Sequence, residues 1–251
     1  MSSESGTFDS YLEAGPYEQL SRVSSTFDEV CRIIGPLAVA ETFAIDGPTN
    51  SGKTSLSTAL LKRCEVECRP ASFLPLDYFL FDRATRDDIT KSISQKQHRV
   101  ADYSLAAWDH ESYGYYIVAA EEILNGASSA ILTIPNAYDR QTGRRDHAQT
   151  VPVYSGGVLI LEGVGLHVYH NQVPSVSIRT DVSDDNILLQ RVLERGKHKL
   201  SGKKLDDDYL RKRHMAVDDE HTRYLRQCSR GYADFVVDSS TFDRIKVYKK
   251  V

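Results

Sequence analysis

The spacing of apolar and polar positions divides the chain into short apolar runs and longer helical stretches. Phe27, Val30, Cys31 and Ile34 recur at i, i+3, i+4 and i+7, one face of a helix that Gly35-Pro36 ends. An apolar run at 42–46 predicts a strand, followed by a Gly-rich turn and a helix from Lys53 to about Arg63. Residues 71–76 predict a second short strand ending at Asp77, and residues 113–125 a helix. The runs AILTI (130–134) and GVLILEG (157–163) are apolar enough throughout to predict buried parallel strands. A strand at 175–180, a helix at 184–195 capped by Asp184 or Ser183, a long polar helix at 206–228 and a strand at 233–238 complete the series. Residues 1–22 show no clear period and read as a loose arm. Strands alternating with helices predict an α/β fold, a mainly parallel central sheet with helices on both faces.

Composition narrows the picture. The chain has 251 residues, 41% of them hydrophobic and 26% charged, which suits one large domain with its own core. A net charge of −4 argues against a nucleic-acid partner. Spanning a bilayer takes roughly 18 consecutive apolar residues, and no run reaches that, so no membrane partner is expected. The polar, acidic N-terminus lacks the features of a signal peptide, and a cytoplasmic location is expected. Cys31, Cys64, Cys68 and Cys228 show no zinc spacing and are expected as reduced thiols.

The most informative stretch is AIDGPTNSGKTS, 44–55, of the form G-x-x-x-x-G-K-[ST]. It follows an apolar strand and opens a helix, the setting in which such a loop cradles phosphates. Gly47 and Gly52 let the backbone turn so that the amides from Thr49, Asn50 and Ser51 onward to Ser55 face phosphate oxygens. Lys53 reaches the β- and γ-phosphates, and Thr54 offers a hydroxyl to Mg²⁺. The fold expected is therefore the three-layer α/β/α arrangement of P-loop NTPases. The guanine-reading N-K-x-D of GTPases is absent. In open α/β sheets ligands sit at the carboxyl ends of strands. Asp77 and Glu162 fall there: Glu162 to hold Mg²⁺, Asp77 to orient a substrate hydroxyl and accept its proton.

An ordered series of segments resembles the uridine kinase and phosphoribulokinase family of P-loop kinases. It comprises IDGPTNSGKTS, LPLDYF, AAWDHESY, IPNAYDRQTGRR, GVLILEGV, RTDVSDDNILLQRVLERGK and YADFVVD, in order across about 40–238. The resemblance implies an ATP- and Mg²⁺-dependent phosphotransferase acting on a hydroxyl of a nucleoside such as uridine or cytidine. Other acceptors consistent with it are a nucleoside antibiotic, pantothenate or a sugar phosphate. It implies Asp77 as catalytic base, Asp109 on sugar hydroxyls, Tyr138 lining the acceptor pocket, Glu162 with Thr54 on Mg²⁺, and Arg191 clamping the sugar or phosphate region. Arg195 and Lys197 would belong to a lid at about 195–205 that closes over the nucleotide. Residues 1–38 would form an arm and helix ahead of a kinase domain at 39–251, and a homo-oligomer is compatible with it.

The chain departs from the family pattern where that pattern reads a pyrimidine. An aromatic residue and a His are expected after Asp139, and Arg140-Gln141-Thr142-Gly143-Arg144-Arg145 stands there. Arg140, Arg144 and Arg145 either meet an anionic substrate or are surface charges. Trp108-Asp109-His110 is either part of the acceptor site or a turn with a half-buried Trp. A different class also fits the phosphate loop: a regulatory ATP-binding module with no small-molecule acceptor. His147, His214 and His221 lack metal-ligand spacing.

Overall fold

The computed structural model describes residues 7–20, 23–35, 41–95, 103, 106–169, 176–197, 206–241 and 243–251. Helices α1 to α8 span Phe8–Glu13, Phe27–Ile34, Lys53–Val66, Arg83–Ser94, His110–Leu124, Asp185–Lys197, Asp207–Arg213 and Asp219–Cys228. Strands β1 to β9 span Tyr17–Gln19, Glu41–Asp46, Ala71–Pro75, Ala130–Ala137, His147–Val153, Val158–Glu162, Val176–Asp181, Phe235–Asp238 and Lys246–Lys250.

Seven strands form one sheet in the order β1-β9-β8-β7-β2-β6-β3. The five strands from β3 to β8 run parallel, and β9 and β1 are added antiparallel. Period-two alternation sorts the side chains to the two faces. Phe43 and Ile45 of β2, with Val158 and Ile160 of β6, join one core under α2 and α3. Ala44, Leu159 and Leu161 join the other, with Leu74, Phe79, Tyr113 and Ile117. This is the expected three-layer α/β/α architecture.

Local signals explain where the helices begin. Thr26 caps α2 by accepting from the Glu29 amide at 3.2 Å, and Glu29 accepts from the Ser25 amide at 2.7 Å. Asp109 caps α5 through the Ser112 amide at 3.1 Å. The long polar helix expected at 206–228 is α7 and α8 joined by a widened π-type turn at His214–Asp218.

Two expectations are corrected. The run at 130–134 is not a buried parallel strand: among the described residues β4 pairs only with β5, antiparallel, in a separate two-stranded ribbon. Ile131 is 68% exposed, while Ile134 and Ala137 are buried, so the ribbon covers the core with some positions and leaves the others to solvent. Residues 1–22 are not a loose arm throughout. Phe8 and Tyr11 of α1 are buried, and β1 extends the sheet beside β9. No helix among the described residues is long and apolar enough to cross a membrane. The four cysteines are free.

Candidate active site

Strand register builds the site. Across the sheet, Pro75 aligns with Glu162, Ile45 with Glu162, and Asp46 with Arg179. The carboxyl ends of β3, β6, β2 and β7 therefore lie side by side. Adjacent strands are about 4.8 Å apart, so the segment leaving β3 starts roughly 10 Å from the one leaving β2.

The segment leaving β2 is the phosphate loop. Gly47 has φ +147°, and a Cβ placed there would stand 2.0 Å from the Thr180 carbonyl oxygen. Gly52 caps α3 with φ +99°, and Asn50 also has positive φ at 67°. These positions turn the chain into the start of a 14-residue helix whose N-terminal amides favour anions. Thr49 and Ser55 are exposed at the loop, whereas Ser51 is buried with its hydroxyl 2.7 Å from that of Thr180. Lys53 folds over the loop and donates to the carbonyls of Gly47 (3.0 Å) and Pro48 (2.7 Å). Burial lowers its pKa to about 8, against the pull of Glu162 and Asp46. The Thr54 hydroxyl donates to Glu162 at 3.1 Å.

Two arginines of α6 reach this loop from far along the chain. Arg191 donates to the Asn50 carbonyl at 3.0 Å and to the Ser239 carbonyl at 2.5 Å. Arg195 donates to the Asn50 side-chain oxygen at 2.5 Å. Lys197 is the last residue of α6. Residues 198–205, most of the expected lid, lie outside the described residues.

The segment leaving β3 turns at once into a short 3₁₀ turn, Leu76–Phe79, that carries Asp77. Its carbonyls anchor two further segments. The Tyr138 amide donates to Tyr78 at 2.8 Å, and the Asp109 amide donates to Phe79 at 2.8 Å. Leu80 and Trp108 form a bridge beside them. Asp77, Asp109 and Tyr138, distant in sequence, are thus tied to one turn.

Each of the three is met by an arginine. Asp77 is ion-paired to Arg140. Asp109 accepts from both Arg145 guanidinium nitrogens at 3.1 Å and from the Ser112 hydroxyl at 2.9 Å. Burial would raise the pKa of Asp109, but the Ser112 and Arg145 hydrogen bonds outweigh it and hold the pKa low. The Tyr138 hydroxyl accepts from Arg86 at 2.5 Å, and the Arg86 guanidinium lies 4.8 Å from that ring's centre.

Below the loop lies a charged network that the motif does not announce. Asp46 is fully buried and accepts from the amides of Gly47 (2.6 Å) and Gly165 (2.7 Å). Burial penalises its charge, yet His167 at 3.5 Å, Arg179 at 3.9 Å and the Gly47 amide hold its pKa well below the carboxylate range. Arg179 in turn donates to Asp181 at 3.0 Å, and Arg226 donates to Asp181 (2.7 Å) and Asp185 (2.8 Å). Asp46 and Arg179 stand in strands and Arg226 in a polar helix, and no local motif marks any of the three. Arg86 gave no signal at all.

The donor set at Thr54 and Glu162, one hydroxyl and one carboxylate beside a phosphate loop, suits a hard divalent cation. Mg²⁺ keeps several waters and is held by one or two protein oxygens plus substrate phosphates. No cluster of three or more His, Cys, Asp or Glu side chains that could hold a metal occurs among the described residues.

No family model matches the sequence, and no curated protein matches it. Solved structures do. A candidate fructose transport system kinase from Silicibacter sp. TM1040 is 22% identical, with a TM-score of 0.57, over 84% of this chain and 98% of its own. A candidate uridine kinase from Bacillus stearothermophilus is 17% identical, with a TM-score of 0.53, over 84% of this chain and 96% of its own. D-glycerate 3-kinase from Cryptococcus neoformans var. grubii is 13% identical, with a TM-score of 0.53, over 90% of this chain and 95% of its own. At these identities the likeness establishes the fold: the chain has the α/β/α fold shared by these P-loop kinases.

Proposed function

We propose that the protein is a kinase that transfers the γ-phosphoryl group of ATP to a hydroxyl of a small-molecule alcohol. One observation carries this reading. The turn bearing Asp77 leaves β3 two strands from the phosphate loop, and the same turn gathers Asp109 and Tyr138 through backbone hydrogen bonds. A hydrolytic switch needs the loop; it has no need of a second group of segments gathered on a turn at a nearby strand end.

In this reading the loop amides and Lys53 bind the triphosphate tail and neutralise charge as it shifts to the leaving oxygen. Thr54 and Glu162 would hold Mg²⁺, which supplies charge neutralisation to the phosphates when bound. Arg191 and Arg195 fix the loop at Asn50 and add positive charge on the donor side. Asp77 aligns the acceptor hydroxyl and takes its proton as the bond to phosphorus forms. The transition state is loose, so an ordinary carboxylate suffices as base. Asp77 does this only when Arg140 has left it. Asp109 acts here chiefly through Arg145, and Tyr138 lines the pocket with Arg86 behind it. Arg140 and its neighbours stand where a pyrimidine-reading aromatic and His would be, so the acceptor class extends beyond nucleosides.

The test is acceptor-dependent ADP release on a panel of nucleosides, nucleoside antibiotics, pantothenate and sugar phosphates, with wild type and Asp77→Asn. Asp77→Asn should retain ATP affinity and lose about 10²–10⁴ in kcat. Near-normal turnover by this variant refutes the assignment of the base. Slow hydrolysis with no stimulation by any alcohol favours the regulatory module instead.

A further inference from the structure

The order of the strands fixes which way a bound nucleotide points. The turn that carries Asp77 leaves β3, on one flank of the phosphate loop, and β7 and β8 end on the other flank. In the kinase reading the γ-phosphate faces Asp77, so the nucleoside half of the donor extends toward the β7–β8 flank. Ser239, which follows β8, stands there. Its hydroxyl donates to the Ser51 carbonyl at 2.6 Å and accepts from Arg191 at 3.3 Å.

A residue from outside the kinase-like segments reaches the same place. A Cβ placed on Gly52 would lie 3.1 Å from Cζ of Phe27 and 3.3 Å from the Ser239 hydroxyl oxygen. Phe27 opens α2, which precedes the phosphate-loop strand. Val30 and Cys31 of α2 share a core with Leu56 and Leu60 of α3. Arg63, in the last turn of α3, donates to the carbonyls of Cys31 and of Gly35, the latter at 2.7 Å. The two helices therefore run side by side in the same direction, and both begin at the phosphate loop. The start of α2 is pinned by its cap and by Ser24, whose amide and carbonyl bond those of Ile245 at 2.9 and 2.7 Å. This places an aromatic ring at a fixed point beside the loop. The ring packs against the core under α2 and α3 and is only half-buried.

We infer that Phe27 belongs to the donor site and that its ring packs on the base of the bound nucleotide. The inference rests on the kinase reading above and deepens it, by naming a residue that holds the nucleoside half of the donor. Phosphate and ribose are recognised through hydrogen bonds and charge, and a hydrocarbon ring supplies neither. A base offers a flat π-face, which stacks on an aromatic ring whatever its sequence of ring nitrogens. The core beneath asks only for apolar bulk at position 27; the open part of the ring is what the nucleotide uses.

The experiment uses the full chain with Mg²⁺ and two ligands that share three linked phosphoryl groups: the non-hydrolysable ATP analogue AMP-PNP, and inorganic tripolyphosphate, which has no base. Both are titrated by calorimetry into wild type, Phe27→Leu and Phe27→Met, and a thermal scan selects the variants that fold. Both substitutions keep apolar bulk against α3 and remove the ring. A folded variant should bind AMP-PNP about fivefold or more weakly than wild type and tripolyphosphate as wild type does. Folded variants that bind AMP-PNP as wild type does overturn the inference. So do variants that lose affinity for both ligands alike, because the ring would then only brace Gly52. Either result leaves the kinase reading intact. Wild type that binds neither ligand refutes both.

Discussion

Replacing Gly47 with Ala puts the phosphate-loop geometry to its sharpest test. The new Cβ would stand 2.0 Å from the Thr180 carbonyl oxygen and 2.8 Å from both the Ser51 and Thr180 hydroxyls. A carbon and an oxygen ordinarily approach to about 3.3–3.6 Å. The backbone oxygen cannot retreat, because Thr180 lies in β7, held between β2 and β8. The loop must therefore shift by about 1 Å or more. A non-glycine residue at φ +147° adds strain of about 1–3 kcal/mol, and the overlap adds about 1–3 kcal/mol more.

Taken together these cost about 4 kcal/mol. If the loop gives way only when it must grip phosphate, ATP affinity falls roughly 10²–10³-fold. If the folded state takes the strain, the melting temperature drops by about 8–16 °C. Calorimetric titration with AMP-PNP and a thermal scan read the two alternatives separately. Gly156→Ala is the control. It also has positive φ, at +66°, but a Cβ there meets nothing within 4 Å. It should lose about 1–2 kcal/mol of stability and no nucleotide affinity. A Gly47→Ala protein with wild-type affinity and wild-type melting would show that the loop is not seated against Thr180, and the site as described would fall.

Other expectations are as direct. Thr54→Val removes the hydroxyl that donates to Glu162 and that we propose for Mg²⁺; the Mg²⁺-dependent part of ATP affinity should fall about tenfold or more, and ATP affinity measured in EDTA should not change. Arg226→Met takes from buried Asp181 one of its two arginines and from Asp185 its arginine partner, so unfolding in urea should show a loss of about 3 kcal/mol. His221 is buried against Tyr103 and Trp108, and burial lowers its pKa from 6.5 to about 4 in spite of Asp218 and Asp46. The unfolded chain therefore binds its proton first on acidification. The stability His221 contributes is complete above pH ~6.5 and is lost as pH falls to ~4, by up to ~3 kcal/mol. His221→Phe should flatten that part of the stability–pH curve, and an unchanged slope between those pH values would refute the assignment.

The parallel sheet was legible because its strands are buried on both faces and read as continuous apolar runs, as in VLILE at 158–162, all buried. The same signal misled at AILTI. A five-residue apolar run does not distinguish a strand covered on both sides from one laid over a core edge, and Pro135 and Asn136 just beyond it were the clue that the strand is not central. β5, β9 and β1 were missed for the opposite reason. Their residues alternate with Lys, Glu, Gln and His, and their pairing partners lie far away in sequence, as Tyr17 with Lys250 does. A short polar strand declares itself only through its neighbour.

The site divides along the same physical line. Residues that act through backbone shape or a fixed local spacing, such as Gly47, Gly52 and Lys53, are written in one contiguous stretch and can be read there. Residues that act by neutralising one another are not. Asp46 holds the first loop amide, and it stays charged in a dry interior because His167 and, from β7, Arg179 stand alongside; Arg179 in turn is met by Asp181, and Asp181 by Arg226 from α8. Breaking such a chain at one link leaves the next charge buried and uncompensated. The turn after β3 follows the same rule at the surface, where Asp77 and Arg140 sit 63 residues apart yet form one unit. Sequence alone offers the carboxylate; only the fold shows that a cation from another segment already pairs with it.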